Sequence, residues 1–259
     1  MKERLERGLA ALGLTPPIGA IDQLVRYAQL LLEQNKVMNL TAITEPDQVA
    51  DLHFLDSAGV ALCADLAGKK LIDVGTGAGF PGMVLKILVP EVELTLVDSL
   101  GKRLDWLSTV CGDLGLTGVT IRHARGEALS LDPAFRDQFD FATARAVADL
   151  RVLCELCLPY VKPGGRFLAM KVAECEEEVS QAGRAVSVLG GRLLPAFRYP
   201  IPGTDVERRV VLVEKLSPTP KGYPPVGQNT EVPSLNPCRF ASKYFIRLFQ
   251  IGFELWWNG

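Results

Sequence analysis

Histidine is scarce in this chain: His53 and His123 are the two among 259 residues. A tetrahedral zinc site wants four ligands, and so few imidazoles leave the six cysteines to supply them. Those cysteines (Cys63, Cys111, Cys154, Cys157, Cys175 and Cys238) are scattered among apolar neighbours. Cys154-Glu155-Leu156-Cys157 has CxxC spacing, but it lies in an apolar helical pattern with no second ligand pair. The cysteines therefore read as core residues, and no metal is expected. Apolar runs long enough to span a bilayer are also missing. The best stretch, 245–257, is interrupted by Arg247 and Glu254 and falls short of the roughly 20 residues a span needs. The charged start Met1-Lys2-Glu3-Arg4 lacks the apolar segment of a secretory signal, so no membrane partner and a cytoplasmic location are expected. Neither sign of charge dominates. Lys and Arg total 28 against 30 Asp and Glu, a formal charge of −2. That balance neither demands nor excludes a nucleic-acid partner; a basic face would have to be local.

What is present is ordinary globular material, 48% hydrophobic, enough for one sizeable core with a small helical addition. Residues 3–13 and 20–35 carry helical periodicity, with Ile21, Leu24, Val25, Ala28, Leu31 and Leu32 on one face. A third helix is expected after Glu45-Pro46-Asp47, where Pro46 suits a first turn, running through Val60. These segments predict a helical cap over 1–66. From Lys70 the pattern changes to short β-type runs at 71–74, 94–97, 119–121, 139–142 and 166–170, with helices near 82–89, 101–114 and 149–160. Alternation of this kind predicts an α/β fold with a parallel sheet over 67–218. After a helix at 174–189, runs at 192–199 and 208–214 are joined by Pro200-Ile201-Pro202-Gly203, so the sheet should end in an antiparallel pair.

The densest signal is Asp73-Val74-Gly75-Thr76-Gly77-Ala78-Gly79-Phe80-Pro81-Gly82, where the first strand should give way to a helix. Glycines there permit positive φ and close approach of a ligand, while the helix that follows presents free N–H groups. Asp98 closes the next strand, where a carboxylate can accept both hydroxyls of a ribose. A nicotinamide dinucleotide and S-adenosylmethionine both suit this much. The segment 77–82 formally matches GxGxxG, with Asp98 about 20 residues on. Asp73 separates the two, because a carboxylate just before the glycines could meet the ammonium of S-adenosylmethionine but would repel a pyrophosphate. The second half of the chain also shows no recognisable dehydrogenase acid–base set. S-adenosylmethionine is the expected cofactor, held by Asp73, Gly75, Gly77 and Asp98.

The loop has company. Asn35-Lys36-Val37-Met38-Asn39-Leu40-Thr41, His53-Phe54-Leu55-Asp56-Ser57, the segment 73–82, Leu96-Val97-Asp98-Ser99-Leu100-Gly101-Lys102-Arg103 and Ala144-Arg145-Ala146-Val147-Ala148 follow in this order. Together they resemble the bacterial ribosomal RNA small subunit methyltransferase G family, also called glucose-inhibited division protein B, over roughly 1–220. The resemblance implies a Rossmann-like class I S-adenosylmethionine methyltransferase sheet with a terminal antiparallel hairpin and the helical cap. It also implies methyl transfer to N7 of a guanine in the 530 loop of 16S rRNA, presented as RNA, 30S subunit or assembly intermediate. Cofactor contacts carried over from the family fall on Gly75, Phe80, Gly126, Glu127 and Arg145, with Asp98 at the ribose.

Guanine N7 has an available lone pair, so such a site needs orientation and charge management more than a general base. In keeping with that, the fourth strand leads into Thr143-Ala144-Arg145-Ala146 and not into an Asn-Pro-Pro-Tyr motif or a Pro-Cys pair. Arg145 is the first catalytic candidate; it could meet the cofactor carboxylate or a phosphate, or only pair with Glu127 or Asp149. His53 is the second. It stands three residues before Asp56 and could point toward the substrate, though a helix-packing pair is equally open. Asn39 and Thr41 suit loop fixing or capping. Lys102, Arg103 and Lys171 fall on the rim expected to face RNA, with solvated side chains as the alternative. Glu174, Glu176, Glu177 and Glu178 suit a helix N-terminus. Two other functions share these features: methyl transfer to another RNA or a small molecule, and a non-catalytic RNA-binding assembly factor.

The segment 219–259 departs from the family, many of whose members end in a short basic segment. Thr219-Pro220-Lys221-Gly222-Tyr223-Pro224 begins such a segment, but 225–235 holds no basic residue. Codon degeneracy allows one set of letters to encode 225–234 here and Arg-Trp-Gly-Lys-Ile-Arg-Lys-Ser-Pro in another frame. A frameshift near Pro224–Pro225 would make the rest an unselected tail. Resequencing the locus should place the basic segment in frame with residue 224; the present frame recurring in related strains would sink this reading.

Overall fold

Glycine and asparagine in left-handed conformations mark the ends of the longest N-terminal helix. In a computed structural model, which describes residues 1–145 and 148–224, α1 spans Lys2–Ala11 and α2 spans Ala20–Met38. Gly19, at φ 85°, precedes α2, and Asn39, at φ 49°, ends it. Asparagine tolerates that region better than other non-glycine residues. Leu24, Ala28 and Leu31 of the expected face of α2 are buried and Ile21, Val25 and Leu32 half-buried, while Tyr27, outside that expected set, is buried as well.

The third helix starts at Pro46 as expected but is not regular. Its run consists of α3 (Pro46–Val49), a π turn (Ala50–Leu55), α4 (Asp56–Ala58) and a 3-10 turn (Gly59–Leu62). Anchors from distant parts of the chain hold the π turn and the residue after it. Arg4 donates to both carboxylate oxygens of Asp51 at 2.7 Å. The Tyr199 hydroxyl donates to the carbonyl and carboxylate of Asp56 at 2.8 and 3.0 Å. Periodicity alone carries no trace of such long-range partners, which is why a plain helix was the expectation.

The described chain divides into two compact units. The first holds 1–123 and 199–208, so the N-terminal helices share a unit with the first three strands. There β1 (Lys70–Val74), α5 (Gly82–Leu88), β2 (Glu93–Asp98), α6 (Gly101–Asp113) and β3 (Val119–His123) alternate as predicted. The strands are parallel in the order β3-β2-β1, with Asp73 opposite Leu96 and Asp98 opposite His123.

The second unit holds 124–198 and the chain from 209. Its elements are α7 (Gly126–Leu129), β4 (Phe139–Arg145), α8 (Leu150–Cys157), a 3-10 turn (Leu158–Tyr160), β5 (Val161–Val172), α9 (Glu176–Val188) and β6 (Gly191–Leu193). The chain then forms β7 (Phe197–Pro200) and β8 (Glu207–Lys215). Within this unit the order is β4-β5-β8-β6; β4 and β5 are parallel, and β6 and β8 antiparallel. The antiparallel ending is therefore present, although the run at 192–199 is split between β6 and β7. Strand β5 starts five residues before the expected 166. Its register against β4 shifts between Phe139 and Phe141, and Gly164 sits at φ 85°. A bulge hid the start of the strand behind Pro163-Gly164-Gly165.

Beyond β8 the chain is fastened before 224. Arg136 donates to the carbonyls of Thr219, Pro220 and Tyr223 at 2.9 to 3.0 Å. Lys215, fully buried, donates to the carbonyl of Leu158 at 2.9 Å and to the Thr219 hydroxyl, and lies 3.5 Å from Asp137. The tail from 225, with Cys238, lies outside the described residues. Among the described residues no helix is long and apolar enough to cross a membrane.

Burial pushes the Lys215 amine down from 10.5 to about 8. Between those values the unfolded chain holds a proton that the folded chain has released, so stability rises with pH across that window. Urea midpoints at pH 8 and pH 10 should show wild type gaining on Lys215→Met; parallel shifts in the two proteins would refute this.

Candidate cofactor-binding site

The glycine loop is fastened from below. Gly75 and Thr76 donate to the Val97 carbonyl on β2 at 2.8 and 3.1 Å, and the Thr76 carbonyl takes N–H groups from Gly79 and Phe80 at 2.8 and 3.1 Å. Gly75, Gly77 and Gly79 stand at φ 72°, 59° and 92°, where a side chain is strained. Asp73, with no exposed surface, accepts the Thr76 hydroxyl at 2.8 Å and the Gly82 N–H at 2.9 Å through one carboxylate oxygen. One acid thus ties both ends of the loop and meets the N-terminus of α5. Asp98 accepts from Gly77 N–H and Leu100 N–H, both at 2.9 Å, with Arg103 3.9 Å away. The four residues expected from loop chemistry, Asp73, Gly75, Gly77 and Asp98, are brought together in the first unit.

The glycines differ in what they face. A Cβ on Gly77 would find its nearest neighbour, the Gly75 carbonyl, at 4.0 Å, so that side is open. A Cβ on Gly79 would strike the Tyr27 hydroxyl, with Met83 Cγ at 2.7 Å and Leu107 Cδ2 at 2.9 Å. The loop therefore offers bare backbone outward and packs tightly inward, the requirement for a ligand that approaches the main chain.

Phe80 backs the loop. Its ring stacks on His53 with centroids 4.5 Å apart at 14°, and lies 5.5 Å from Tyr27 and 5.8 Å from Phe54. His53 is buried, with Nε2 2.7 Å from the Thr41 hydroxyl, which also accepts from Ile43 N–H at 3.0 Å. The Asn35 amide clasps Thr41 at its N–H and carbonyl, both 2.9 Å. Asp56, three residues beyond His53, turns instead to Tyr199 and to Arg208 at 3.7 Å. Asn39 caps and Thr41 fixes the loop, as their residue types suggested.

In the second unit Glu127 pairs with Arg125 at 2.6 Å, and the Gly126 carbonyl accepts the Tyr160 hydroxyl at 2.5 Å. Arg145 closes β4, buried and opposite Met170. Residues 146 and 147 of its motif lie outside the described residues. Asp149 caps α8 by accepting from Arg151 N–H and Nε, each at 2.9 Å. Lys171 differs from its expected place on an RNA-facing rim. Its amine donates to the Ala148 carbonyl at 2.8 Å and pairs with Glu178 at 2.5 Å, and Glu178 also accepts from Leu150 N–H. A half-buried ion pair thus holds Ala148, three residues beyond Arg145, and commits Lys171 to contacts within the protein; Lys102 is exposed and Arg103 half-buried.

Of the described cysteines, Cys154, Cys157 and Cys175 are buried, and Cys63 and Cys111 are half-buried. Burial pushes the Cys111 thiol up to about 11 and the Cys63 thiol to about 12. Cys154 and Cys157 are fully buried on α8. Among the described residues no group of three or more His, Cys, Asp or Glu could hold a metal ion.

Residues 20–197 match the family model described as rRNA small subunit methyltransferase G. The chain belongs to that family. A Desulfitobacterium hafniense protein of this methyltransferase G name is 48% identical over 204 residues, which is 79% of this chain and 84% of that protein. A Limosilactobacillus reuteri protein of the same name is 43% identical over 226 residues, 86% of this chain and 94% of that protein. A solved structure of a mutant of MtNAS in complex with S-adenosylmethionine shares 16% identity and a TM-score of 0.51, covering 75% of this chain and 72% of that one. That likeness is one of fold. Tyr27, whose hydroxyl donates to the Ala78 carbonyl, is the loop partner that the sequence did not reveal; it stands outside the face that periodicity marks on α2.

The two glycines should separate in mutagenesis. Gly79→Ala should lower the thermal midpoint markedly, because strain and a clash with packed side chains add. Gly77→Ala should cost only the backbone term, about 1–2 kcal/mol. Equal losses in calorimetry would contradict the geometry.

Proposed function

We propose that this methyltransferase G family member transfers a methyl group from S-adenosylmethionine to N7 of a guanine in the 530 loop of 16S rRNA. The substrate in this reading is the RNA itself, the 30S subunit or an assembly intermediate in the cytoplasm. The observation that carries it is the loop at 75–79, whose open backbone at Gly77 lies between the acids Asp73 and Asp98. Family membership supports the ribosomal RNA substrate.

Bound S-adenosylmethionine supplies a sulfonium methyl that the N7 lone pair can attack without loss of a proton. The protein's part is then to bind, orient and manage charge. Asp73 places negative charge beneath the loop, which favours an ammonium in front of it and opposes a pyrophosphate. Asp98, at the end of β2, is assigned to the ribose hydroxyls. Gly75, Gly77 and Phe80 shape the loop, and Gly126, Glu127 and Arg145 are assigned to the rest of the cofactor. Arg145 also offers a cation for the cofactor carboxylate or an RNA phosphate. His53 acts in this reading through Phe80, whose ring it stacks on, as a positioning residue.

The deciding experiment is transfer of labelled methyl to 30S subunits and to 16S RNA lacking the modification, with the product base mapped. Label at a guanine N7 in the 530 loop is expected, and Gly75→Leu should abolish both cofactor binding and transfer. Wild type that labels neither substrate would overturn the assignment.

A further inference from the structure

We infer that Tyr27 on α2 is a positioning residue for cofactor binding, setting the glycine loop from inside the N-terminal helices. The inference rests on the reading of that loop as the S-adenosylmethionine site. Every other polar attachment of the loop named above comes from β1, β2 or the loop itself. Tyr27 reaches it from a helix 51 positions earlier in the chain. Its side chain is fully buried, and its hydroxyl donates to the carbonyl of Ala78, between Gly77 and Gly79.

The geometry gives that bond leverage. The peptide joining Ala78 to Gly79 is planar, with its carbonyl and N–H on opposite sides. The carbonyl is held by Tyr27, and the Gly79 N–H by the Thr76 carbonyl at 2.8 Å. Both edges of one peptide plane are therefore bonded, and its orientation is set next to Gly77, the glycine that faces open space. The absent side chain of Gly79 makes the approach of the hydroxyl possible. The ring is itself held in place, stacked at 5.5 Å on both Phe54 and Phe80 and tilted against Trp106 at 6.3 Å. A rigid ring with one polar tip can hold a loop at a set depth. The N-terminal helices thereby act on cofactor affinity without touching the cofactor.

Tyr27→Phe keeps the ring and removes the hydroxyl. Isothermal titration should show the dissociation constant for S-adenosylmethionine rising about fivefold to tenfold, the scale of one net hydrogen bond. KM for the cofactor should follow, while kcat on 30S subunits stays within about twofold, because the reacting groups are untouched. Tyr199→Phe is the control; it removes another buried hydroxyl, bonded to Asp56, and should lower the thermal midpoint without changing cofactor affinity. Gly79→Ala crowds the same hydroxyl, so its effect on affinity should be smaller in the Tyr27→Phe background than in wild type. An unchanged dissociation constant in Tyr27→Phe, an equal rise in Tyr199→Phe, or strict additivity with Gly79→Ala would each overturn the inference. Wild-type protein that fails to bind the cofactor would instead sink the reading of the loop.

Discussion

A single carboxylate without exposed surface, Asp73, joins the end of β1 to the start of α5 and closes the glycine loop between them. Burying an ionised acid is costly unless hydrogen bonds offset the loss of water. Asp73 accepts bonds from Thr76 and from the first N–H of α5, whose positive dipole end adds to them. The loop's three left-handed glycines, its open face at Gly77 and its packed face at Gly79 all lie between Asp73 and the first N–H of α5. The aromatic bed of Phe80, His53, Phe54 and Tyr27 then supports the span from the inner side.

Most of the architecture was legible because it rests on local pattern. Alternating strand and helix segments from Lys70, the glycine loop and Asp98 at the end of β2 depend on period and residue type, which sequence carries directly. What escaped detection depends on distant partners. The π turn at 50–55 is held at Asp51 by Arg4 and just beyond its end by Tyr199, neither near it in sequence. The early start of β5 is masked by a bulge whose glycines read as a turn. Tyr27 stands outside the residues that periodicity marks on α2, and nothing local announces that its hydroxyl ends on Ala78. The same limit governed Lys171. At the end of a strand it reads as a free cation on a rim; its commitment to Ala148 and Glu178 is visible only in three dimensions.

The two units handle charge in related ways. In the first, Asp51 in the π turn and Asp56 just after it are matched by Arg4 and Arg208. In the second, Glu178 gathers Lys171 and the N–H of Leu150 just after the Arg145 motif. Each arrangement uses ionic groups from distant elements at a place where regular structure changes or ends. Irregular chain is also where the candidate site residues lie, at strand ends and in loops. Rigidity there comes from side chains reaching in from elsewhere.

The placement of Tyr199 and Arg208 also bears on the order in which the molecule can be built. Both belong to the unit that begins at Met1, and the Tyr199 hydroxyl meets Asp56 across 143 positions of chain. A ribosome makes the chain from its first residue, and the anchors of Asp56 leave the exit tunnel only after most of the second unit has been made. Domains otherwise tend to complete themselves in the order of synthesis. Here the first unit must wait for a strand tip encoded near the end, and that wait falls on the turn that carries His53. Asp56 is thus fastened only once residues 199–208 have been made.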